Sequence, residues 1–188
     1  MSEWRKFAGA RQPHSPLEAS SAIRCSAGSK VIWGLHGVNL NRLGHRDPHY
    51  YGTVTLDDIE ERIATRAAQY GFGTDFFQTN WSGALTDCIQ EISQDPNTAG
   101  FVANLGAWTH NDRGLGDTFR DAARPLVEVH LSDIHERARQ PGESFRKISV
   151  LKNVRTGIVS GIGIDGYDKA VDELAAAIRA RETSQKIT

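Results

Sequence analysis

From residue 30 onward, short apolar runs alternate with stretches whose apolar residues recur every three or four positions. The first run, KVIWGLH at 30–36, has strand length and opens into a loop dense in polar and ionisable groups. TLDDIEERIATRAAQYG at 55–71 puts Leu56, Ile59, Ile63 and Ala67 on one helical face. Thr55 suits its N-cap, Asp57 and Asp58 suit the positive helix start, and Gly71 suits the position past its end. TDFFQTN at 74–80 predicts a second strand, and WSGALTDCIQEISQD at 81–95 a second helix that Pro96 stops. GFVANLG at 100–106 reads as a third strand, and DTFRDAA at 117–123 as a helix body that leaves at Pro125. PLVEVHLS at 125–132 is a fourth strand, TGIVSGIG at 156–163 a fifth, and DGYDKAVDELAAAIRARE at 165–182 a long closing helix.

Strand and helix alternate throughout this region, which argues for a parallel sheet with helices on both faces. Five strands on this scale predict an α/β fold, a flavodoxin-like three-layer sandwich with strand order 2-1-3-4-5. Residues 1–29 are rich in Ser, Ala, Pro and Arg without a sustained period and read as a flexible arm. The expected organisation is that arm, a single domain over 30–182, and a tail over 183–188.

Composition narrows the function classes. The chain has 188 residues, 39% hydrophobic and 24% charged, with formal net charge −1. A domain of this size buries about 70% of its unfolded surface. The balanced charge gives no basic footprint for nucleic acid. No apolar run reaches the roughly 18 residues of a membrane span, and the N-terminus lacks the apolar core of a secretory signal. Two cysteines, Cys25 and Cys88, make no disulfide framework and are expected as one surface and one core thiol, in a reducing cytoplasm.

In sheets of this kind ligands bind beyond the carboxyl ends of the strands, near the switch point. The first strand is followed by Asn39, Arg46 and Tyr51, the third by Asn104, Thr109 and His110, and the fourth ends in Glu128, His130 and Ser132. Asn80, after the second strand, is a weaker candidate. A lone histidine after a strand is more often a satisfied surface or cap residue. Glu128, His130 and Ser132 share one strand face, however. Unpaired in a buried strand, each would cost about 1–3 kcal/mol. Glu128 is placed to orient His130 and fix its protonation, the geometry of a general acid. Tyr51 reads either as a stacking aromatic or, with Arg46 near it, as a phenol whose ionised form a cation favours.

Two other patterns carry less. GIGIDG (Gly161, Gly163, Gly166) matches G-x-G-x-x-G between a strand and a helix, the dinucleotide context. It lies in the last strand–helix unit, with no later strand for the ribose-binding acid, so helix–sheet packing is the better account. His110, His130, Glu128 and Asp117 are acceptable metal ligands, but none has the close spacing of a zinc motif.

The constellation resembles a known family. GVNLNRLGHRDPHYYG is similar to the G-P-N-L-N-x-L-G-x-R-E-P-x-x-Y-G signature of type II 3-dehydroquinate dehydratases. NLGAWTHNDRGLGD, PLVEVHLSDIHER, SFRKIS and GIGIDGY resemble further segments of that family, in order, across about residues 30–180. The resemblance implies a flavodoxin-like enzyme that converts 3-dehydroquinate to 3-dehydroshikimate by anti elimination through an enolate, without metal or organic cofactor. Such an enzyme serves aromatic biosynthesis or quinate breakdown. The 36–52 loop would be a mobile lid carrying the base.

The resemblance assigns roles residue by residue. Tyr51 would abstract the proton, with Arg46 and Arg137 supplying a cationic field. Asn39 would hold the water that stabilises the enolate oxygen. His130, oriented by Glu128, would be the general acid. Asn104, His110 and Arg146 would bind ring hydroxyls. Backbone amides of Leu131 and Ser132, with the Ser132 hydroxyl, would hold the substrate carboxylate. Asp117 would reach a neighbouring subunit, because the family assembles as trimers that build dodecamers.

Several positions depart from the family form. Val38 replaces Pro, Trp108 an apolar residue of different size, and Asn111 and Asp112 replace Thr-Ser. Asp133 replaces Asn, Gly114 and Gly116 soften a helix start, and the segment 138–144 is longer. Asp112 and Asp133 would bring negative charge toward an anionic ligand, and the longer segment bears on where Arg137 and Arg146 sit. A non-catalytic relative that binds a related cyclic acid or a protein is the alternative, and a lyase for a modified cyclohexanone acid a third reading.

Overall fold

The computed structural model describes residues 30–187, so the expected arm and Cys25 lie outside the described residues. Five parallel strands run β1 (Val31–His36), β2 (Gly73–Gln78), β3 (Thr98–Asn104), β4 (Leu126–His130) and β5 (Gly157–Ser160). They are ordered β2-β1-β3-β4-β5, as the alternation predicted. The helices are α1 (Pro48–Tyr51), α2 (Leu56–Gln69), α3 (Ser82–Ile92), α4 (Arg113–Ala122), α5 (Ile134–Arg137) and α6 (Asp165–Ile187), with 3-10 turns at Leu40–Arg42, Gly106–His110 and Ser144–Lys147.

Burial on both faces explains the near-continuous apolar strands. On one face Ile32, Val102, Val127 and Val129 pack with Ile59 and Ile63 of α2 and Val171 and Leu174 of α6. On the other, Trp33, Leu35, Phe101 and Ala103 pack with Leu85 and Ile89 of α3 and Leu115 and Phe119 of α4. Cys88 is buried in this second layer, the expected core thiol.

Local signals place α2 as expected. Thr55 Oγ1 accepts from the Asp58 amide, and the Asp58 carboxylate accepts from the Thr55 amide at 2.8 Å, a reciprocal capping box. Gly71, with φ +82°, ends the helix, and Phe72 N donates to Ala67 O, the Schellman closure.

Two boundaries differ. α4 begins at Arg113 rather than 117, through both glycines, because the Asp112 side chain accepts from Leu115 N and caps the first turn. α6 runs to Ile187 rather than ending at 182, so the expected tail continues the helix. Residues 181–185 are exposed, and the last turns lack the apolar period by which sequence finds a helix. The 36–52 loop holds two short helical turns, anchored by the buried Leu40 and Leu43.

Candidate active site

A cavity of about 130 Å³ opens where β1, β3 and β4 end. Asn39, Arg46, Tyr51, Asn104, His110, His130, Leu131, Ser132, Arg137 and Arg146 line it, every residue to which the resemblance gave a role except Glu128 and Asp117, while Thr109 and Asn80 lie outside the lining. Three arginines and two histidines face it, with no carboxylate among the described lining residues.

The 36–52 loop delivers Tyr51 through α1, whose first turn is capped by Asp47 accepting from the His49 amide at 2.9 Å. The Tyr51 hydroxyl oxygen accepts from Arg46 Nη2 at 2.9 Å and from Arg137 Nη1 at 3.1 Å. The Arg46 guanidinium also lies 3.9 Å from the Tyr51 ring centroid, and that of Arg137 4.2 Å from the Tyr50 ring centroid. Two cationic donors therefore meet on one phenol oxygen. Arg137 Nη1 also donates to Ser132 Oγ at 3.3 Å, and Arg137 Nε is buried without a hydrogen-bond partner among the described residues.

Asn39 is held in the left-handed region, φ 65° and ψ 7°. Its amide donates to Asn80 Oδ1 at 2.8 Å. Asn80 therefore supports the loop from behind. A non-glycine residue held there stores strain that tertiary contacts must sustain.

β4 carries the His130–Glu128 pair. His130 Nε2 and Glu128 Oε1 are 2.8 Å apart, and Glu128 is wholly buried one strand turn below the cavity. Burial pushes the Glu128 carboxyl up, but the His130 hydrogen bond and the Arg155 cation outweigh it and leave the group below its ordinary range. Glu128 is therefore ionised. The His110 ring stacks on that of His130, centroids 6.3 Å apart and 12° from parallel. His110 Nδ1 lies 2.7 Å from Ile148 O, a contact that places its proton on Nδ1. Burial holds the His110 imidazole below its ordinary value, so it faces the cavity neutral.

The remaining groups settle the departures seen in sequence. Asn104 spans the floor, donating to Tyr167 Oη at 3.0 Å and accepting from Gly106 N at 3.1 Å. Asp112 and Asp133 do not line the cavity. Each caps a helix, and Asp133 accepts from His135 N at 2.8 Å and Glu136 N at 3.0 Å. Those amides, Glu136 first, hold the Asp133 carboxyl below its ordinary range. The longer 138–144 segment turns through Gly142 and still delivers both Arg137 and Arg146 to the cavity wall. Arg146 pairs with Glu143 there. Asp117 is exposed on the outer face of α4, paired with Arg120 and apart from the cavity.

Sequence reading missed Ser149 and Arg155, which both bind Glu128, and Gln140, whose Oε1 accepts from Tyr50 Oη at 3.2 Å. Position 155 is 27 residues from 128, and no local period links them.

Comparison with known proteins bears on this geometry. The family model "Dehydroquinase class II" matches residues 30–175. A 3-dehydroquinate dehydratase of Syntrophotalea carbinolica is 42% identical over 138 residues, covering 73% of this chain and 89% of that protein. One from Bordetella petrii is 43% identical over 143 residues, covering 76% and 95%. The crystal structure of type II dehydroquinase from Propionibacterium acnes superposes with a TM-score of 0.70 at 35% identity, over 80% of this chain and 99% of that one. The shared sequence spans the whole sheet and every cavity-lining loop, and on that ground the chain belongs to the class II dehydroquinase family.

Proposed function

We propose that this protein is a 3-dehydroquinate dehydratase, a hydro-lyase that removes water from 3-dehydroquinate to give 3-dehydroshikimate by anti elimination. Tyr51, as phenolate, takes a proton from the carbon alpha to the ketone, and the electron pair moves into an enolate. A water held by Asn39 donates to the enolate oxygen, where charge grows toward the transition state. The enolate then collapses, the carbon–oxygen bond breaks, and His130 gives its proton to the leaving hydroxyl, which departs as water. Glu128 fixes the imidazole for that transfer. Asn104, His110 and Arg146 bind ring hydroxyls, and Leu131 and Ser132 take the carboxylate. Arg137 Nε, buried and without a partner among the described residues, is a further donor for an anion.

The observation that carries this reading is the Tyr51 oxygen bracketed by Arg46 and Arg137 in the same cavity as His130. The carboxylate-free lining supports an anionic substrate. Incubation with 3-dehydroquinate tests it: the conjugated enone absorbs in the ultraviolet and its growth measures turnover. Tight binding of a ring analogue without turnover would establish the non-catalytic alternative.

The proposal extends to context. The enzyme acts in the cytoplasm, in aromatic biosynthesis or quinate breakdown; no helix among the described residues is long and apolar enough to cross a membrane. Trimers assemble into a dodecamer in which Asp117 reaches a neighbouring site. Sedimentation of the purified protein at the mass of a monomer would refute that assembly.

A further inference from the structure

Glu128 carries more than the histidine. Its Oε1 meets His130 Nε2 at 2.8 Å and Ser149 Oγ at 3.1 Å, and its Oε2 meets Ser149 Oγ at 2.9 Å and Nη1 of Arg155. The Arg155 side chain is only 17% exposed. Its backbone is pinned on both sides: Arg155 N donates to Leu151 O at 2.9 Å, and Thr156 N to Leu126 O at 2.7 Å. One carboxylate therefore serves a permanent cation and a switchable one.

We propose that Arg155 is a positioning residue that sets the acidity of His130 through Glu128. The inference rests on His130 being the general acid. A lone buried carboxylate would hold the imidazolium proton firmly and make a poor donor. A guanidinium on Oε2 takes up part of that charge, so His130 releases its proton more readily, as the leaving hydroxyl requires. The Arg155 contact also fixes the carboxylate's rotation and leaves Oε1 for the histidine.

The groups around the pair leave this role to Arg155. β3 places Ala103 opposite Glu128, and β5 places Ile158 opposite Glu128 and Ser160 opposite His130, none of them charged. Asn104, on the same floor, is bonded to the neutral Tyr167 phenol. His110 stacks on His130, and Arg146 lies on the cavity wall, its charge acting on His110. Arg46 and Arg137 are engaged with Tyr51.

Arg155→Met removes the charge and keeps the stem, Arg155→Lys keeps the charge, and Arg155→Gln is a second neutral variant should Met fail to fold. NMR of histidine-labelled protein, with the His130 signal assigned from His130→Asn, reads the imidazole titration without any turnover. That titration moves up by about one pH unit in the neutral variants and stays near wild type in Arg155→Lys. The alkaline limb of the kcat profile moves with it, while KM on the plateau changes less than about threefold. In a Glu128→Gln background, Arg155→Met moves neither limb further. A His130 titration that is unmoved or lowered in the neutral variants overturns the proposal, as does a Lys variant that behaves like Met. A wild-type protein without turnover would sink the dehydratase reading alone, since the titration still decides the role of Arg155.

Discussion

Tyr51→Phe separates catalysis from architecture. The change deletes one oxygen, which accepts hydrogen bonds from Arg46 at 2.9 Å and Arg137 at 3.1 Å, and leaves the ring in place. Both contacts are only part-buried, so solvent can replace the lost acceptor for guanidinium groups already close to water. The stability loss should stay within about 1 kcal/mol, the net worth of an ordinary hydrogen bond, or about 2–4 °C in Tm for a chain of this length. The kinetic loss is of another order. Deleting a positioned base costs about 100- to 10,000-fold in kcat, which at 1.36 kcal/mol per decade is about 3–5 kcal/mol of barrier. KM should move by less than about fivefold, because the base acts on a proton rather than holding the ring. Enone formation followed in the ultraviolet, beside a calorimetric melt of the same sample, measures both. A variant that melts like wild type yet retains kcat within tenfold refutes Tyr51 as the base. A variant that loses activity because it has unfolded is distinguished by its Tm.

Three other changes test separate links. His36 is buried and lies 3.8 Å from Glu60, and burial lowers its imidazole to about 3, so it stays neutral while the unfolded chain takes up its proton below about 6.5. Between those values the unfolded state binds more protons, so stability should fall with falling pH by a few kcal/mol, with Glu60 offsetting part of it. His36→Phe should flatten that slope in denaturant titrations at pH 4 and 7, and an unchanged slope would contradict it. Asn39→Ala and Asn39→Gly should each lower kcat at least about tenfold through loss of the enolate group. Only the Ala variant should also lose about 1 kcal/mol of stability, because glycine accepts φ 65° without strain. Equal melts for the two would show that the conformation is not strained. Gly161→Ala, at φ +83° with the new Cβ 2.8 Å from Asp133 Cβ, should cost about 1–3 kcal/mol in chemical denaturation. It should also raise KM severalfold by displacing the loop after Ser132, and an unchanged KM would uncouple that turn from the site.

The chain alone settled whatever depends on neighbours in sequence. The capping box at Thr55, the Gly71 stop and the apolar face of Leu56, Ile59 and Ile63 act within a few residues, and α2 lies where they place it. Double-sided burial made the strands legible as apolar runs, and their alternation with helices implied the parallel order. Glu128-x-His130 was readable because alternate strand residues share a face, and the resemblance supplied the other site positions. Tertiary structure decided what charged side chains do once distant segments meet. Asp112 and Asp133 looked like negative charge beside a ligand, yet each spends its carboxylate on free helix amides, and the cavity wall stays cationic. Arg155 had no signal at all, since only the folding of β5 against β4 brings its guanidinium to Glu128. A buried charge takes its partners from whatever the fold delivers, and sequence separation does not record that distance.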